Sequence, residues 1–185
     1  MPPVILDMAV SLDGVVAGPA GEDVGLYDWY FDPNPVSKPV VDELVETSGA
    51  LVIGRGAYGT AEDAGGWDDT PYRVPHYVVT HRELPSAPPG QTVELVAVPE
   101  GVVRAVELAK EAAGDRYATI GGGADVARQC LDAGLVDEVQ MHVVPLVVGP
   151  GLRLFDGSTS RWRLRPTRVV DAPVVTHLRY AVERP

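Results

Sequence analysis

Three segments of the chain combine a short apolar run with a glycine-rich or polar turn. They are LVIGRGAY (residues 51–58), YVVTHR (77–82) and ATIGGGADVARQCL (118–131). Short apolar runs bounded by turn residues are typical of buried strands, and in open α/β sheets ligands bind beyond the carboxyl ends of the strands. The sequence therefore predicts a ligand site at these turns.

The glycine turn of the third segment is the most informative of the three. Gly121, Gly122 and Gly123 carry no β-carbon, so a ligand can approach the backbone closely, and a following helix presents free N–H groups to an anion. A strand-to-helix corner without a ligand is the alternative, and this segment alone does not decide between them. The turn is not a Rossmann fingerprint, since Val126 stands at the third glycine position, and no Walker A loop occurs.

Basic residues follow the other two apolar runs. Arg55 comes directly after Ile53-Gly54, and a guanidinium is well shaped for phosphate. Thr80-His81-Arg82 supplies a hydroxyl, an imidazole and a guanidinium, a set that suits the ribose phosphate distinguishing NADPH from NADH. A surface ion pair at Arg55 and a solvated turn at 80–82 are the alternatives. In an acidic chain, basic residues at the ends of two apolar runs favour a functional role for these residues over the two alternatives.

Other kinds of catalytic site find little support. His76, His142 and His177 lack metal-ligand spacing, so no metal site is expected and each histidine is predicted to lie on a strand. No serine lies in a G-x-S-x-G elbow. Cys130 has no basic neighbour and is predicted to be an inert core thiol. Asp13 is first interpreted as a turn residue that bonds its own backbone.

The elements that must position these turns alternate along most of the chain. Helical spacing of apolar residues predicts helices over 36–47, which Gly49 would end, 102–113 and 125–133. Strands are predicted at 4–10, 50–53, 76–80, 92–98, 117–120 and 138–148, with a final hairpin of 161–170 and 174–182. Alternating strands and helices favour a parallel sheet, and the strands of the last third add antiparallel members. The expected class is a mixed α/β sheet.

A long loop over residues 18–35 interrupts this alternation. It contains Tyr27, Trp29, Tyr30 and Phe31 between glycines and prolines. So much aromatic surface in a loop predicts a lid or a pocket wall. Trp67 lies in another glycine-flanked loop, where it would line a pocket or cap the sheet.

Length and charge limit the possible partners. The 185 residues suit a single domain over 1–185, and the net charge of −11 disfavours nucleic acid and anionic membranes. A single cysteine excludes an internal disulfide framework. The first residues lack the basic start of a signal peptide, and no apolar stretch reaches membrane-spanning length. We therefore expect a soluble, cytoplasmic protein.

Taken together, four segments resemble the dihydrofolate reductase-like superfamily. They are MAVSLDGVVAG (8–18), IGRGAYG (53–59), YVVTHR (77–82) and the stretch from IGGGADVARQCL to LRLF (120–155). Within the superfamily they resemble most the C-terminal reductase domain of the bifunctional riboflavin-biosynthesis deaminase–reductase and its stand-alone bacterial relatives. The resemblance implies a three-layer α/β/α fold with a mixed, mostly parallel central sheet, and NADPH as cofactor.

The resemblance also implies roles for particular residues. Those that would touch the cofactor are Ala9, Val16 and Ala17 for the nicotinamide, Gly54, Arg55, Gly56 and Ala57 for the phosphates, Thr80, His81 and Arg82 for the 2′-phosphate side of the adenosine, and Ile120, Gly121, Gly122, Gly123, Ala124 and Asp125 for the pyrophosphate and the nicotinamide ribose.

One departure from the superfamily bears on the substrate. True dihydrofolate reductases place a carboxylate on the first helix to bind the pterin, but the matching stretch here is Ser37-Lys38-Pro39. Asp42 and Glu43 follow about one turn later. Folate is therefore not the expected substrate, and Lys38 would repel a protonated pterin if it faced the pocket. The deaminase domain is also absent from these residues.

The expected activity is NADPH-dependent reduction of a small C=N or C=O compound, similar to 5-amino-6-(5-phosphoribosylamino)uracil reductase. Asp13, Asp28 and Asp32 are the candidate proton donors, and Trp29 and Tyr30 are expected to close over the substrate. A homodimer is expected because the riboflavin-type relatives commonly dimerise. The alternatives are a non-catalytic module that binds NADP(H) and a purely structural acidic domain.

Overall fold

The computed structural model describes residues 2–57, 70–84 and 93–183. Trp67 and the first residues of the predicted strand 92–98 lie outside these ranges. The described strands are β1 (Val4–Ser11), β2 (Val15–Ala17), β3 (Ser48–Gly54), β4 (His76–Val79), β5 (Leu95–Val98), β6 (Tyr117–Gly122), β7 (Glu138–Val144), β8 (Leu152–Arg153), β9 (Arg163–Ala172) and β10 (Val175–Glu183). The helices are α1 (Asp28–Phe31), α2 (Lys38–Thr47), α3 (Val102–Ala113) and α4 (Ala124–Asp132).

One eight-stranded sheet organises these elements, in the order β5-β4-β3-β6-β1-β7-β10-β9. The strands from β5 to β7 in this order pair in parallel, whereas β10 is antiparallel to both β7 and β9. This confirms the mixed, mostly parallel sheet with antiparallel C-terminal strands. Because the parallel strands share one direction, their carboxyl ends meet at the same edge of the sheet.

The two faces of the sheet differ in what covers them. On the first, alternate residues of β1 such as Leu6 and Met8 pack with α3 and α4 around a large apolar core. Fully burying one such side chain stabilises the fold by about 1.5–3 kcal/mol. On the second, which we call the aromatic face, Ala9 packs beneath Leu26 and Trp29. The residues of β1 that alternate with the first core, Asp7 among them, therefore point to the aromatic face.

Several predicted boundaries differ from the observed ones for identifiable reasons. The predicted helix 36–47 begins at Lys38, and Val36 lies exposed before it. Gly49 does not end this helix: it lies within β3, where a β-carbon would come 2.6 Å from the Ala113 backbone. Gly49 is therefore required by the close approach of α3. β6 continues to Gly122, so two glycines of the predicted turn are strand residues.

The structure also contains short elements that the sequence pattern did not predict. α1 is a single turn inside the loop 18–35, and β2 and β8 pair as a small ribbon. Predicted strand 138–148 ends at Val144, directly before Pro145. Within the described ranges, no helix combines the length and the apolar character needed to cross a bilayer.

Candidate functional site

Two glycine segments meet at the carboxyl-end edge of the sheet. They are residues 54–57, after β3, and residues 121–123, at the end of β6, and together we call them the glycine cradle. A β-carbon built on Gly123 would lie 3.3 Å from the Gly54 Cα, and one on Gly122 would lie 3.0 Å from the Ala57 Cβ. Gly123 also has a φ of +85°, which favours glycine. The two backbones therefore approach closely only because these positions carry no side chain.

The remaining predicted segment, residues 77–82, lies beside the cradle. Val79, the last residue of β4, pairs with Gly54 of β3, so Thr80 begins its turn next to the cradle. The Arg82 N–H donates a hydrogen bond to Thr80 Oγ1 over 3.0 Å, which folds the turn back on itself. His81 and Arg82 are exposed there. The structure thus brings together the three segments that the sequence singled out.

The helix that follows the cradle begins at Ala124. Asp125 lies in its first turn, but its carboxylate accepts hydrogen bonds from Gln129 Nε2 at 2.7 Å and Arg128 Nη2 at 3.2 Å. These contacts tie the carboxylate to side chains of its own helix, and the predicted cofactor role of Asp125 stays a prediction. Ile120 is fully buried in the core on the α3 and α4 side, so only its backbone can face a ligand.

The three residues expected at the nicotinamide lie farther into the protein. Ala9 is fully buried beneath Leu26 and Trp29, and its N–H donates to Tyr27 Oη over 3.4 Å. Val16 and Ala17 belong to β2 and are half-buried. The side chain of Ala9 is therefore covered by protein and is not open to a ligand.

Asp13 has a structural environment that disfavours its predicted role as proton donor. Its carboxylate accepts hydrogen bonds from Ser11 Oγ at 2.7 Å and from the N–H groups of Val148 and Gly149 at 3.1 and 2.9 Å. Its backbone carbonyl accepts from Arg153. The Ser11 hydroxyl and the two N–H groups lower the pKa of Asp13 to about 2. Asp13 is held ionised and ties the turn after β1 to the loop after β7.

The other two predicted proton donors lie on the surface. Asp28 begins α1 and Asp32 follows it, and both are exposed. Their predicted role stays a prediction.

The loop over residues 18–35, which we call the aromatic loop, is packed down onto the sheet. Trp29 is 4% exposed, and its ring lies 4.5 Å from that of His142 and 4.9 Å from that of His177, between centroids. Its indole N–H donates to the Leu26 carbonyl over 2.8 Å. The expectation that Trp29 closes over a substrate is therefore wrong, because its faces are already in contact with protein. Tyr30 is half-buried at the edge of this cluster.

Sequence reasoning missed a carboxylate on the aromatic face. Asp7, in the middle of β1, accepts a hydrogen bond from Gln140 Nε2 at 3.3 Å and contacts His142 Nε2 at 2.8 Å. Its side chain is 13% exposed. Leu6 pairs with Ile120 of β6, so Asp7 lies beside Gly121 of the cradle. The sequence did contain a signal for this site. A carboxylate inside an otherwise apolar, buried strand costs free energy of folding unless it is paired, so Asp7 required a partner.

Asp42 and Glu43, two of the three carboxylates of α2, are occupied by ion pairs. Asp42 forms an exposed ion pair with Lys38 at 2.7 Å, so Lys38 does not face a pocket. Glu43 contacts Arg168 and pairs with Arg179 at 2.7 Å, and these cations hold its pKa below the usual value despite partial burial. Neither carboxylate is placed to bind a pterin next to the cradle.

Two further predictions concern groups with reactive side chains. Cys130 is fully buried, which confirms a core cysteine, and burial raises the pKa of its thiol to about 12. His76, His142 and His177 lie on strands β4, β7 and β10, as predicted, and all are buried. Across the described ranges, no three His, Cys, Asp or Glu side chains are grouped to hold a metal ion.

Comparison with known proteins identifies the family. A family model for the RibD C-terminal domain matches residues 2–178. The chain belongs to this family. The RibD C-terminal domain is a riboflavin-pathway-like reductase domain, and this confirms the resemblance carried by the four segments.

Individual relatives agree with this assignment. The uncharacterized protein YwjB of Bacillus subtilis (strain 168) is 26% identical over 162 residues, 87% of each chain. A solved structure ascribed to riboflavin biosynthesis in Shewanella sp. PV-4 is 25% identical with a TM-score of 0.75, covering 98% of this chain and 99% of that one. Dihydrofolate reductase from Enterococcus faecalis, solved with NADP(H), is 16% identical with a TM-score of 0.59, covering 98% and 97%. The last likeness confirms the dihydrofolate reductase-like fold.

Proposed function

We propose that this protein is an NADPH-dependent reductase of a small compound with a polarised C=N or C=O bond. The observation that carries the proposal is the meeting of residues 54–57 and 121–123 beside Thr80 at the carboxyl-end edge of the sheet. Membership of the RibD C-terminal domain family and the NADP(H) complex of the similarly folded Enterococcus faecalis enzyme support it.

The residues at this edge fit a dinucleotide. In the cradle Gly56 is exposed and Gly121 and Gly123 are half-buried, so part of its backbone is open to a ligand. Backbone N–H groups of the cradle and the N-terminal end of α4 suit the pyrophosphate, since both carry partial positive charge. Arg55 lies at the start of the segment that follows β3 and is half-buried there, in place for a phosphate.

The turn 80–82 would select NADPH over NADH. His81 and Arg82 are exposed beside the cradle in a protein whose net charge is −11. A 2′-phosphate would gain charge-assisted contacts at this turn that the 2′-hydroxyl of NADH cannot make.

The chain must also supply a proton to the reduced substrate. A bound nicotinamide cofactor supplies the hydride. Asp7 is the carboxyl group best placed to handle the proton, because it lies beside Gly121 and is partly exposed, whereas Asp13 is held ionised by its own hydrogen bonds. Burial raises the pKa of the Tyr30 and Tyr72 hydroxyls, and the charge of Asp7 adds to the rise.

The substrate would be a small planar or sugar-phosphate-like compound and not a folate, since Asp42 and Glu43, two of the three acids of α2, are engaged in ion pairs. We also propose that the enzyme acts in the cytoplasm as a homodimer. A module that binds NADP(H) without catalysis is the competing function, and the experiment below distinguishes the two.

The test combines binding with turnover. Calorimetry measures NADPH and NADH binding, and steady-state assays follow NADPH oxidation with a ribityl-aminopyrimidine, quinones, imines and dihydrofolate. The proposal expects NADPH to bind more tightly and to be consumed with at least one C=N or C=O compound. Stoichiometric binding without consumption across the panel would establish the non-catalytic module, and a lack of binding would contradict both.

A further inference from the structure

A chain of hydrogen-bonding side chains runs from the aromatic loop to Asp7. Asn34 Nδ2 lies 3.1 Å from Ser37 Oγ, which lies 3.0 Å from His177 Nε2. His177 Nδ1 lies 2.6 Å from His142 Nδ1, and His142 Nε2 lies 2.8 Å from Asp7 Oδ1. Four elements contribute: the loop before α2, β10, β7 and β1. In these contacts either atom could be the donor, and the hydrogen bonds of the neighbouring groups decide which one donates.

The direction of donation along these hydrogen bonds is set at Asn34, by two backbone N–H groups that can only donate. The N–H groups of Val36 and Ser37 donate to the Asn34 side chain over 2.9 and 3.1 Å. The atom that receives them must be the amide oxygen, so the amide nitrogen of Asn34 faces Ser37. This fixes the orientation of the Asn34 side chain without reference to the histidines.

Ser37 links Asn34 to His177. It precedes α2 at the N-cap position, but its hydroxyl makes no capping hydrogen bond and turns to the sheet instead. The side chain is fully buried, so a hydroxyl proton without an acceptor would be costly. Because the contact with Asn34 is an accepted bond, the Ser37 O–H donates to His177 Nε2.

The two histidines also donate their hydrogen bonds in the direction of Asp7. Burial and the proximity of His142 and Arg168 lower the pKa of His177 to about 4, although Asp7 opposes this, so its ring is neutral near pH 7. With Nε2 accepting, the proton of His177 is on Nδ1 and donates to His142 Nδ1. The remaining proton of a neutral His142 is then on Nε2 and donates to Asp7 Oδ1.

The chain therefore ends on one oxygen of Asp7. Gln140 Nε2 reaches the same Oδ1 at 3.3 Å. Both hydrogen bonds that the described residues make to this carboxylate thus hold Oδ1, and Oδ2 is the oxygen left to a ligand beside Gly121. Trp29 packs on both imidazole rings and keeps them in place.

We infer that His142 and His177 are positioning residues that act through Asp7. Ser37 sets their tautomers, and the His142 Nε2–H holds Asp7 Oδ1 so that Oδ2 faces the substrate in one orientation. This inference rests on the proposed reductase function for its consequence, but the tautomers it requires belong to the protein alone. The competing arrangement is a His142 imidazolium paired with Asp7, which would force the Nε2–H tautomer on His177.

The first test uses nitrogen-15 NMR of the imidazole rings in the ligand-free protein near pH 7. The wild type is expected to show the Nε2–H tautomer at His142 and the Nδ1–H tautomer at His177. Asn34→Asp replaces the amide donor by an acceptor, so the Ser37 hydroxyl would turn to it and His177 would switch to Nε2–H. Pro35→Asp adds the same charge at the next, exposed residue and should leave both tautomers unchanged.

The second test uses turnover with the compound that the activity panel identifies. His177→Phe removes the donor to His142 and is expected to lower kcat on the order of tenfold or more, as loss of an orienting partner does elsewhere. The KM for NADPH should not change. His177→Asn places an amide N–H close to the position of Nδ1 and should recover part of kcat. His76→Phe is the matched control, since His76 is also buried but bonds only the Val74 carbonyl.

The outcomes separate this inference from the proposed function. The expected tautomers together with a kcat loss specific to His177→Phe support it. An active wild type with a charged His142, or with His177 protonated at Nε2, overturns the inference and leaves the reductase intact. Equal kcat for His177→Phe and His76→Phe also overturns it. An inactive wild type with the expected tautomers overturns the reductase and the positioning role with it, while the hydrogen-bond chain stands.

Discussion

Gly122 faces Ala57 across the glycine cradle, and a β-carbon at Gly122 would lie 3.0 Å from the Ala57 Cβ. Gly122→Val therefore places two further methyl groups where the proposed pyrophosphate lies. We expect NADPH affinity to fall at least about tenfold, and overpacking to destabilise the fold by about 1–3 kcal/mol. Calorimetry measures the first effect and thermal unfolding the second.

A double variant separates the ligand from the steric contact. Ala57→Gly removes the methyl group that Gly122→Val would meet, so the pair should regain stability but not NADPH binding. Full recovery of binding in the double variant would mean that the ligand does not occupy this space.

Cofactor preference should depend on the turn after β4. Replacing His81 and Arg82 by glutamine removes the exposed imidazole and guanidinium beside the cradle. A hydrogen bond to a charged group contributes about 1.5–3 kcal/mol, so NADPH affinity should fall on the order of tenfold to a hundredfold while NADH affinity stays the same. Arg104→Gln is the control, because Arg104 lies on α3 and pairs with Glu107 at 3.2 Å. Equal affinities of the wild type for the two cofactors would contradict this prediction.

Dihydrofolate should be a poor substrate. Glu43 is bound to Arg168 and Arg179, and Asp42 pairs with Lys38 at the surface, so neither of these α2 carboxylates is free to bind a pterin. Steady-state NADPH oxidation with dihydrofolate is expected to be absent or very slow, and Asp42→Asn should not alter turnover of any substrate. Brisk dihydrofolate reduction that Asp42→Asn abolishes would show that α2 carries the pterin carboxylate after all.

Asp13 should contribute to stability in a pH-dependent way. Its pKa is lowered from 3.8 to about 2 in the folded protein, so the ionised form stabilises the native state above pH 3.8. This contribution is lost as the pH falls toward 2. Asp13→Asn should therefore lower the free energy of unfolding near neutral pH and flatten its decline over that acid range. Urea titrations at several pH values measure both, with exposed Asp115→Asn as the control.

Cys130 should be unreactive until the protein unfolds. The thiol is fully buried in the core beneath α4, and burial raises its pKa to about 12. A colourless disulfide reagent that releases a coloured thiolate should not label the native protein over hours. Labelling should appear with the same urea midpoint as the loss of secondary structure, and earlier labelling would indicate local opening of α4.

The turns of the candidate site were predictable because their signal is local. An apolar run followed by Gly54 or by Gly121-Gly122-Gly123 identifies a strand end, and parallel strands bring such ends to one edge. The contact between Gly54 and Gly123 joins positions far apart in the chain, and only the pairing of β3 with β6 reveals it.

The polar chain on the aromatic face could not be predicted in the same way. Asp7, His142 and His177 come from strands far apart in sequence, and the sheet order places them next to one another. Each histidine alone looks like an ordinary strand residue. Trp29 was misjudged for a related reason, since its partners are these same histidines and not a ligand.

The sheet order also constrains how the chain acquires its structure during synthesis. β1 does not pair with β2 or β3. Its partners in the main sheet are β6 and β7, which begin at Tyr117 and Glu138. After β1 leaves the ribosome, both of its edges therefore stay unpaired until more than a hundred further residues have followed. Long-range pairing of this kind slows folding and leaves apolar strands exposed to association with other chains. A chain that stopped after β5 would hold β1 without either partner, and such a truncated product should aggregate unless a chaperone covers it.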